Sequence, residues 1–412
     1  MAGAWVTGIG CVTPIGVGIE PFADALRAGR SGIGPLTLID ARPYACRVAG
    51  EVTDFRPEDH MPLREARSSP RVVQFAVAAA RMACEHAGLR RWKDATRVAI
   101  LLGSSMGAFP YNEMQHSIFL ERGIRRVHPS FPAQGHSGVI ASECAIQLGV
   151  HGPVLTLSSA CTSSADAIGL GRDLIAHGIV DVVLAGGSEA PLSPLAFASF
   201  DRLRMMPTSF NETPTAACRP FSADREGLVM GEGGAVLLLE SEAHVRERGG
   251  APLAEVLGYA ATCDADDHFV QKEPGEDAIR AIAQALERAG VSPAEIEYVN
   301  AHGTGTSQND PFETRVLRAV LGEGAGRTPV SSTKSMVGHL LGAGAAVELA
   351  ATVVGIRDGF LPPTINLEEP DPACDLDYVA GAARRARITT ALSTSFGFGS
   401  RNAAIIVRRE GS

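Results

Sequence analysis

Short apolar runs alternate with longer mixed ones from one end of the chain to the other. Runs of β-branched and aliphatic residues fall at 5–9, 97–102, 154–158, 180–185, 234–239, 296–299, 329–332, 391–394 and 403–407. Because they are continuously apolar rather than alternating, they predict strands covered on both faces. Helices are expected between them, over 70–87, 162–177, 276–289, 312–321 and 341–357. Strand and helix in alternation predict an α/β fold. The Gly-Gly-Ala-Pro stretch at 249–252 is the best internal boundary and divides the chain into portions 1–250 and 251–412. Both portions alternate strand with helix and end in a glycine-rich turn, as an old duplication of one α/β unit would.

The most apolar stretch, 345–354, is interrupted by Glu348 and is too short to span a bilayer. The N-terminus has no basic leader segment and runs straight into a strand. A cytoplasmic protein is expected, with no membrane association. Across the 412 residues, 45% hydrophobic and 20% charged is ordinary globular usage. The net charge of −9 argues against nucleic acid as a partner, because phosphate binding needs a basic face. Of the 37 basic residues only Lys93, Lys272 and Lys334 are lysines, a bias that suggests a GC-rich genome. It also draws the eye to Lys334, which sits in Ser331-Ser-Thr-Lys334-Ser-Met-Val-Gly-His339. The eight cysteines form no C-x-x-C pair, so neither a zinc site nor a dithiol motif is indicated.

Four segments place chemically able residues at the ends of apolar strands. In Leu155-Thr-Leu-Ser-Ser-Ala-Cys161-Thr-Ser-Ser, a strand turns through small residues into a helix, with Cys161 at the helix start. Backbone N–H groups and the helix dipole there favour a thiolate and can receive an oxyanion. On this segment alone, a small buried hydrophobe in a strand-to-helix turn is the commoner role for such a cysteine. Tyr298-Val-Asn-Ala-His302-Gly-Thr304-Gly-Thr306 offers a glycine-flanked histidine and two hydroxyls; otherwise it is a polar loop. The Lys334 segment ends in His339, which alone would read as a core histidine. Leu392-Ser-Thr-Ser-Phe396-Gly-Phe398-Gly399 is a strand followed by a glycine turn with two aromatics, which could simply plug the core.

In this order the four segments resemble the elongating β-ketoacyl-acyl carrier protein synthases, which have the thiolase fold, layered αβαβα from two related halves. Supporting stretches include Ala185-Gly-Gly-Ser-Glu-Ala, Arg219-Pro-Phe, Val229-Met-Gly-Glu-Gly and Pro362-Pro-Thr-Ile-Asn. The resemblance implies that Cys161 takes an acyl group from the phosphopantetheine of an acyl carrier protein. It implies that His302 and His339 stabilise the enolate formed when a malonyl group decarboxylates, with no cofactor of the enzyme's own. It puts the oxyanion between the backbone N–H groups of Cys161 and Phe396, and makes Phe396 the gate to the acyl pocket. Lys334 would orient the histidines, and Glu313 would be the carboxylate behind them. Thr304, Thr306, Met106 and Phe398 would contact substrate.

Two departures from the family pattern stand out. Ser400-Arg401-Asn402 replaces Gly-Thr-Asn, and Val270 stands where a threonine is usual. Ala190-Pro-Leu-Ser-Pro194 and Gln308-Asn-Asp310 look like the ketosynthases of type II polyketide systems, whereas Ser395-Phe-Gly-Phe-Gly399 looks like fatty-acid synthesis. The mixture favours a specialised polyketide, polyene or unusual acyl pathway over a general fatty-acid elongating synthase. Cys161 together with both histidines argues against a non-catalytic chain-length subunit of the same fold. A cysteine-dependent acyl hydrolase would need a water-activating base, and the sequence offers none beyond the same histidines. The expected assembly is a homodimer, or a heterodimer with a related ketosynthase or chain-length subunit. Arg204, Arg64 and Arg71 are candidate contacts for an acidic carrier protein at the tunnel mouth.

Overall fold

A computed structural model describes residues 3–411. Met1 and Ala2, the start of the expected leaderless N-terminus and of the 1–250 portion, lie outside the described residues, as does Ser412.

Ten strands form one hydrogen-bonded path: β1 (Ala4–Thr13), β2 (Val98–Gly103), β3 (Val154–Leu157), β4 (Val182–Glu189), β5 (Gly233–Ser241), β6 (Ala254–Cys263), β7 (Tyr298–Asn300), β8 (Val330–Ser331), β9 (Thr390–Gly397) and β10 (Arg401–Arg409). A short strand, Gly16–Val17, pairs with β1 off the path. The spatial order is β8-β7-β9-β10-β6-β1-β5-β4-β2-β3. Each half repeats the same scheme. In the first, β2 pairs in parallel with β3 and β4, β4 antiparallel with β5, and β5 antiparallel with β1. In the second, β7 pairs in parallel with β8 and β9, β9 antiparallel with β10, and β10 antiparallel with β6. The halves meet where Trp5 and Val6 of β1 pair with Glu255 and Ala254 of β6.

Two helices lie between the halves. α2 (Ser163–Ala176) and α5 (Gly344–Asp358) touch strands of both, and residues 344–356 of α5 are all buried. A helix with no polar face needs cover on every side. α1 (Arg71–His86) covers the outer face of β1 and β5, while α3 (Glu276–Ala289) covers that of β6 and β10; α4 (Asn309–Leu321) packs on α3. The result is the αβαβα layering of the thiolase fold. Among the described residues no helix is long and apolar enough to cross a membrane.

The expected strands all form, with ends shifted by a few residues, and the structure adds β6. Its sequence dilutes the β-branched signal with Gly258, Ala260 and Ala261. Gly258 has a packing reason, since a Cβ there would lie 2.3 Å from the carbonyl oxygen of Ala285 in α3. The expectation of cover on both faces fails for β3, a sheet edge on which Leu155 is 53% exposed.

Candidate active site

Cys161 stands two residues before the N-terminus of α2, in a turn held by its own small side chains. Ser163 Oγ accepts from the Ser159 N–H (2.8 Å) and donates to the Ala160 carbonyl (2.6 Å). Ala160 takes φ 55°, a left-handed conformation that costs a non-glycine residue about 1 kcal/mol or more and that the surrounding bonds enforce. The turn aims the thiol at the C-terminal ends of β7, β8 and β9, where the other three segments arrive.

His339 Nε2 lies 3.2 Å from Cys161 Sγ, and the rings of His339 and His302 meet edge to face with centroids 5.3 Å apart. The Lys334 ammonium has three protons and three acceptors: the His302 carbonyl at 2.5 Å, His302 Nδ1 at 3.3 Å, and the carboxylate of Glu348. An ammonium only donates, so Nδ1 of His302 accepts and its proton sits on Nε2. His339 Nδ1 has no hydrogen-bond partner, so no neighbour fixes its tautomer. Glu313 holds the turn behind His302: it accepts from the N–H groups of His302 and Gly303 (both 2.8 Å) and from Thr394 Oγ1 (2.7 Å).

Electrostatics set the resting protonation. Burial pushes the Cys161 thiol up to about 12, against the opposing pull of the Lys334 charge and of a hydrogen bond from the Phe398 N–H. Burial and the Lys334 charge hold both histidines well below the usual imidazole range. Burial thus opposes the thiolate expected from the helix start, and these directions leave a neutral thiol beside a neutral imidazole at rest.

The two phenylalanines exchange their expected places. Phe396, within β9, is buried against His302 and Phe312 (centroids 5.9 and 5.6 Å). Phe398 lies just beyond the strand, half-buried, stacked on Phe200 and edge-on to Phe269, and it is the Phe398 amide that points at the thiol. Phe396 is thus part of the wall, and the gate and oxyanion roles fit Phe398. Residues two apart on a strand share a face, so 396 and 398 would point alike if β9 continued; the strand ends at Gly397, and residue 398 is free to take a different direction.

The cavity at Cys161 is lined by both histidines, Thr304, Thr306, Phe396 and Phe398, and has a volume of about 40 Å³. That holds roughly three waters but no acyl chain, so a side chain must move before a chain can enter. A wider vestibule of about 380 Å³ shares Met205, Phe269, Val270, Thr306 and Gln308 with it and leads past Arg204 and Arg225 to the surface. Met106 does not line the Cys161 cavity; it joins the apolar cluster that includes Phe398, Leu192 and Phe200. Of the candidate docking arginines, Arg204 is exposed at the vestibule. Arg64 is exposed, and Arg71 is spent on an ion pair with the buried Glu232. Glu348, noticed in the sequence only as a break in an apolar stretch, is the partner of Lys334. A lone buried acid on an otherwise apolar helix was the available signal.

Models of the beta-ketoacyl synthase N-terminal and C-terminal domains match residues 4–244 and 253–368. The chain belongs to the β-ketoacyl synthase family. Among its members, the 3-oxoacyl-[acyl-carrier-protein] synthase 2 of Synechocystis sp. is 41% identical over 98% of this chain and 97% of its own length. The ishigamide ketosynthase/chain length factor superposes with a TM-score of 0.92 at 34% identity, covering all of both chains. A type II PKS ketosynthase bound to the hexaketide and in complex with its acyl-carrier protein gives 0.91 at 32% identity, over 99% of each chain. Cys161 lies in the first matched span, and His302, Glu313, Lys334, His339 and Glu348 in the second.

Proposed function

We propose that this β-ketoacyl synthase, an acyltransferase, performs a decarboxylative condensation in two steps around Cys161. In the first, Sγ attacks an acyl thioester on a carrier protein. His339 Nε2 takes the thiol proton and passes it to the departing pantetheine thiol, leaving an acyl-Cys161 thioester. The N–H groups of Cys161 and Phe398 receive the oxyanion. In the second, a malonyl thioester puts its carbonyl oxygen against the Nε2–H of His302 and that of His339, which changes to its Nε2–H tautomer between the steps because no neighbour holds the proton on Nδ1. Carbon dioxide leaves, and the enolate carbon bonds to the acyl carbon. The C–S bond to Cys161 breaks, and one proton taken up from solvent restores the thiol. The observation that carries this reading is the 3.2 Å contact of His339 with the thiol, beside a His302 whose donor nitrogen Lys334 selects.

Thr304 and Thr306 suit the pantetheine arm: both are buried and line the cavity that leads from the vestibule. The carrier's phosphopantetheine brings the substrate, and the chain needs no cofactor of its own. The catalytic division into 1–250, with the nucleophile, and 251–412, with the histidines, belongs to the same reading. An acidic acyl carrier protein docks at the vestibule by Arg204, and a second ketosynthase-like chain, identical or related, covers the exposed edge β3; an uncovered apolar edge is otherwise a liability. The compartment is cytoplasmic. The Gln308 and Asn309 of the polyketide-like motif line the Cys161 cavity, which favours a specialised polyketide or polyene pathway over general fatty-acid elongation.

Malonyl-carrier added to the acyl-loaded enzyme tests the reaction. A β-ketoacyl-carrier product with release of carbon dioxide is expected. Release of free acid without malonyl-carrier would make the protein a hydrolase, and failure to load acyl groups even beside a related subunit would make it non-catalytic.

A further inference from the structure

Glu189, the last residue of β4, is wholly buried, and four donors meet its carboxylate. Oε1 accepts from the Ser104 hydroxyl (2.9 Å) and the Met106 N–H (3.0 Å), and Oε2 from the N–H groups of Ser105 (2.6 Å) and Gly342 (3.0 Å). These donors belong to two separate segments flanking Cys161. The first follows β2 and carries Met106 into the apolar cluster around Phe398. The second lies just past His339. They approach so closely that a Cβ at position 342 would stand 2.2 Å from the Ser105 nitrogen and 2.9 Å from Glu189 Oε2. Glycine at 342 therefore lets both segments share one carboxylate. The charge also reaches the nucleophile, since Glu189 is among the groups that raise the Cys161 thiol.

We infer that Glu189 is a positioning residue for the condensation: its carboxylate ties the Met106 segment to the segment behind His339, and so sets the spacing between the acyl-chain side and the histidine side of Cys161. The inference rests on the reaction proposed above. The two oxygens are not equivalent, and this makes the role separable from bulk stability. Glu189→Gln retains one carbonyl oxygen. Turned toward Ser105 and Gly342, it keeps both of those bonds, while the new NH₂ faces the Met106 N–H as donor against donor and the Ser104 hydroxyl can rotate to accept. The opposite flip forfeits two backbone donors instead of one. The substitution therefore frees the Met106 segment and spares the one behind His339. Burial brings the Glu189 carboxyl up to about 7, so it carries its charge at the alkaline pH at which the thiol is alkylated.

The test compares wild type, Glu189→Gln and Ser104→Ala in the full chain. The readouts are thermal midpoint, the ratio of octanoyl to acetyl loading from carrier, and the pH profile of Cys161 alkylation by iodoacetamide. Glu189→Gln is expected to fold, to change the octanoyl-to-acetyl ratio by about tenfold, and to alkylate faster at a given alkaline pH, because a neutral amide removes a charge that raises the thiol. Ser104→Ala, which deletes one of the four donors, shifts the ratio the same way by less. A folded Glu189→Gln protein with the wild-type ratio and alkylation profile overturns the inference. If that variant does not fold, an unchanged ratio in Ser104→Ala overturns it instead. Wild type that loads neither acyl group counts against the reaction, and the alkylation profiles then decide the role of Glu189 on their own.

Discussion

The Cys161 thiol and the Nε2 of His339 lie 3.2 Å apart, each brought there by a glycine-rich or small-residue turn from a different half of the fold. Neither group is charged at rest, because burial raises the one and lowers the other. A neutral pair can exchange a proton during attack without first solvating an ion, and the carbanion formed later meets no positive charge that would have to be released.

His302 stands one ring further from the sulfur, with Nδ1 occupied by Lys334. His302→Ala should therefore keep acyl loading while losing malonyl decarboxylation by about 10²–10⁴-fold. Single-turnover assays of the two steps check this; equal loss in both would place His302 on the loading step as well.

Lys334 and Glu348 form an ion pair that is wholly buried. Lys334→Met leaves the carboxylate without its partner and should cost about 3–5 kcal/mol in denaturant unfolding. Adding Glu348→Leu should restore much of that stability but no condensation, since the proton of His302 is then no longer held on Nε2. Recovery of activity in the double variant would contradict the orienting role.

Phe396 and Phe398 differ by two positions and should differ in consequence. Phe396→Ala opens a core cavity and should cost about 3–5 kcal/mol. Phe398→Ala removes a half-buried ring, so it should cost less than half as much while changing the rate of acyl loading through the widened entrance. Chemical denaturation and loading rates on both proteins separate the two residues.

The histidines also fix a pH dependence. Held well below 6.5, they stay neutral in the folded protein where unfolded histidines take protons. Their contribution to stability is thus present above about pH 6.5 and is lost as pH falls from there toward their folded values. Malonyl decarboxylation by the acetyl-loaded enzyme should stay within about twofold between about pH 7.5 and pH 6, and an acid limb centred near 6.5 would contradict the shift.

Much of this was legible in the chain itself. The apolar runs are strands because continuous aliphatic sequence needs cover on both faces, and the residues at their C-terminal ends converge because parallel strands point the same way. Two things were not legible. Which phenylalanine faces the thiol depends on where β9 stops, a matter of one or two residues that propensity does not resolve. The Lys334–Glu348 pair joins positions on two helical segments whose approach is set by packing across the central layer. The burial that opposes a Cys161 thiolate is likewise hidden from sequence: a helix start is visible there, but the depth of its burial is not.

The central claim is that Cys161 carries the acyl group. Intact-mass analysis after incubation with acyl-carrier protein tests it directly, comparing wild type with Cys161→Ala. The account predicts one acyl adduct on wild type, discharged on adding malonyl-carrier, and none on the variant. An adduct of equal stoichiometry on Cys161→Ala would contradict it.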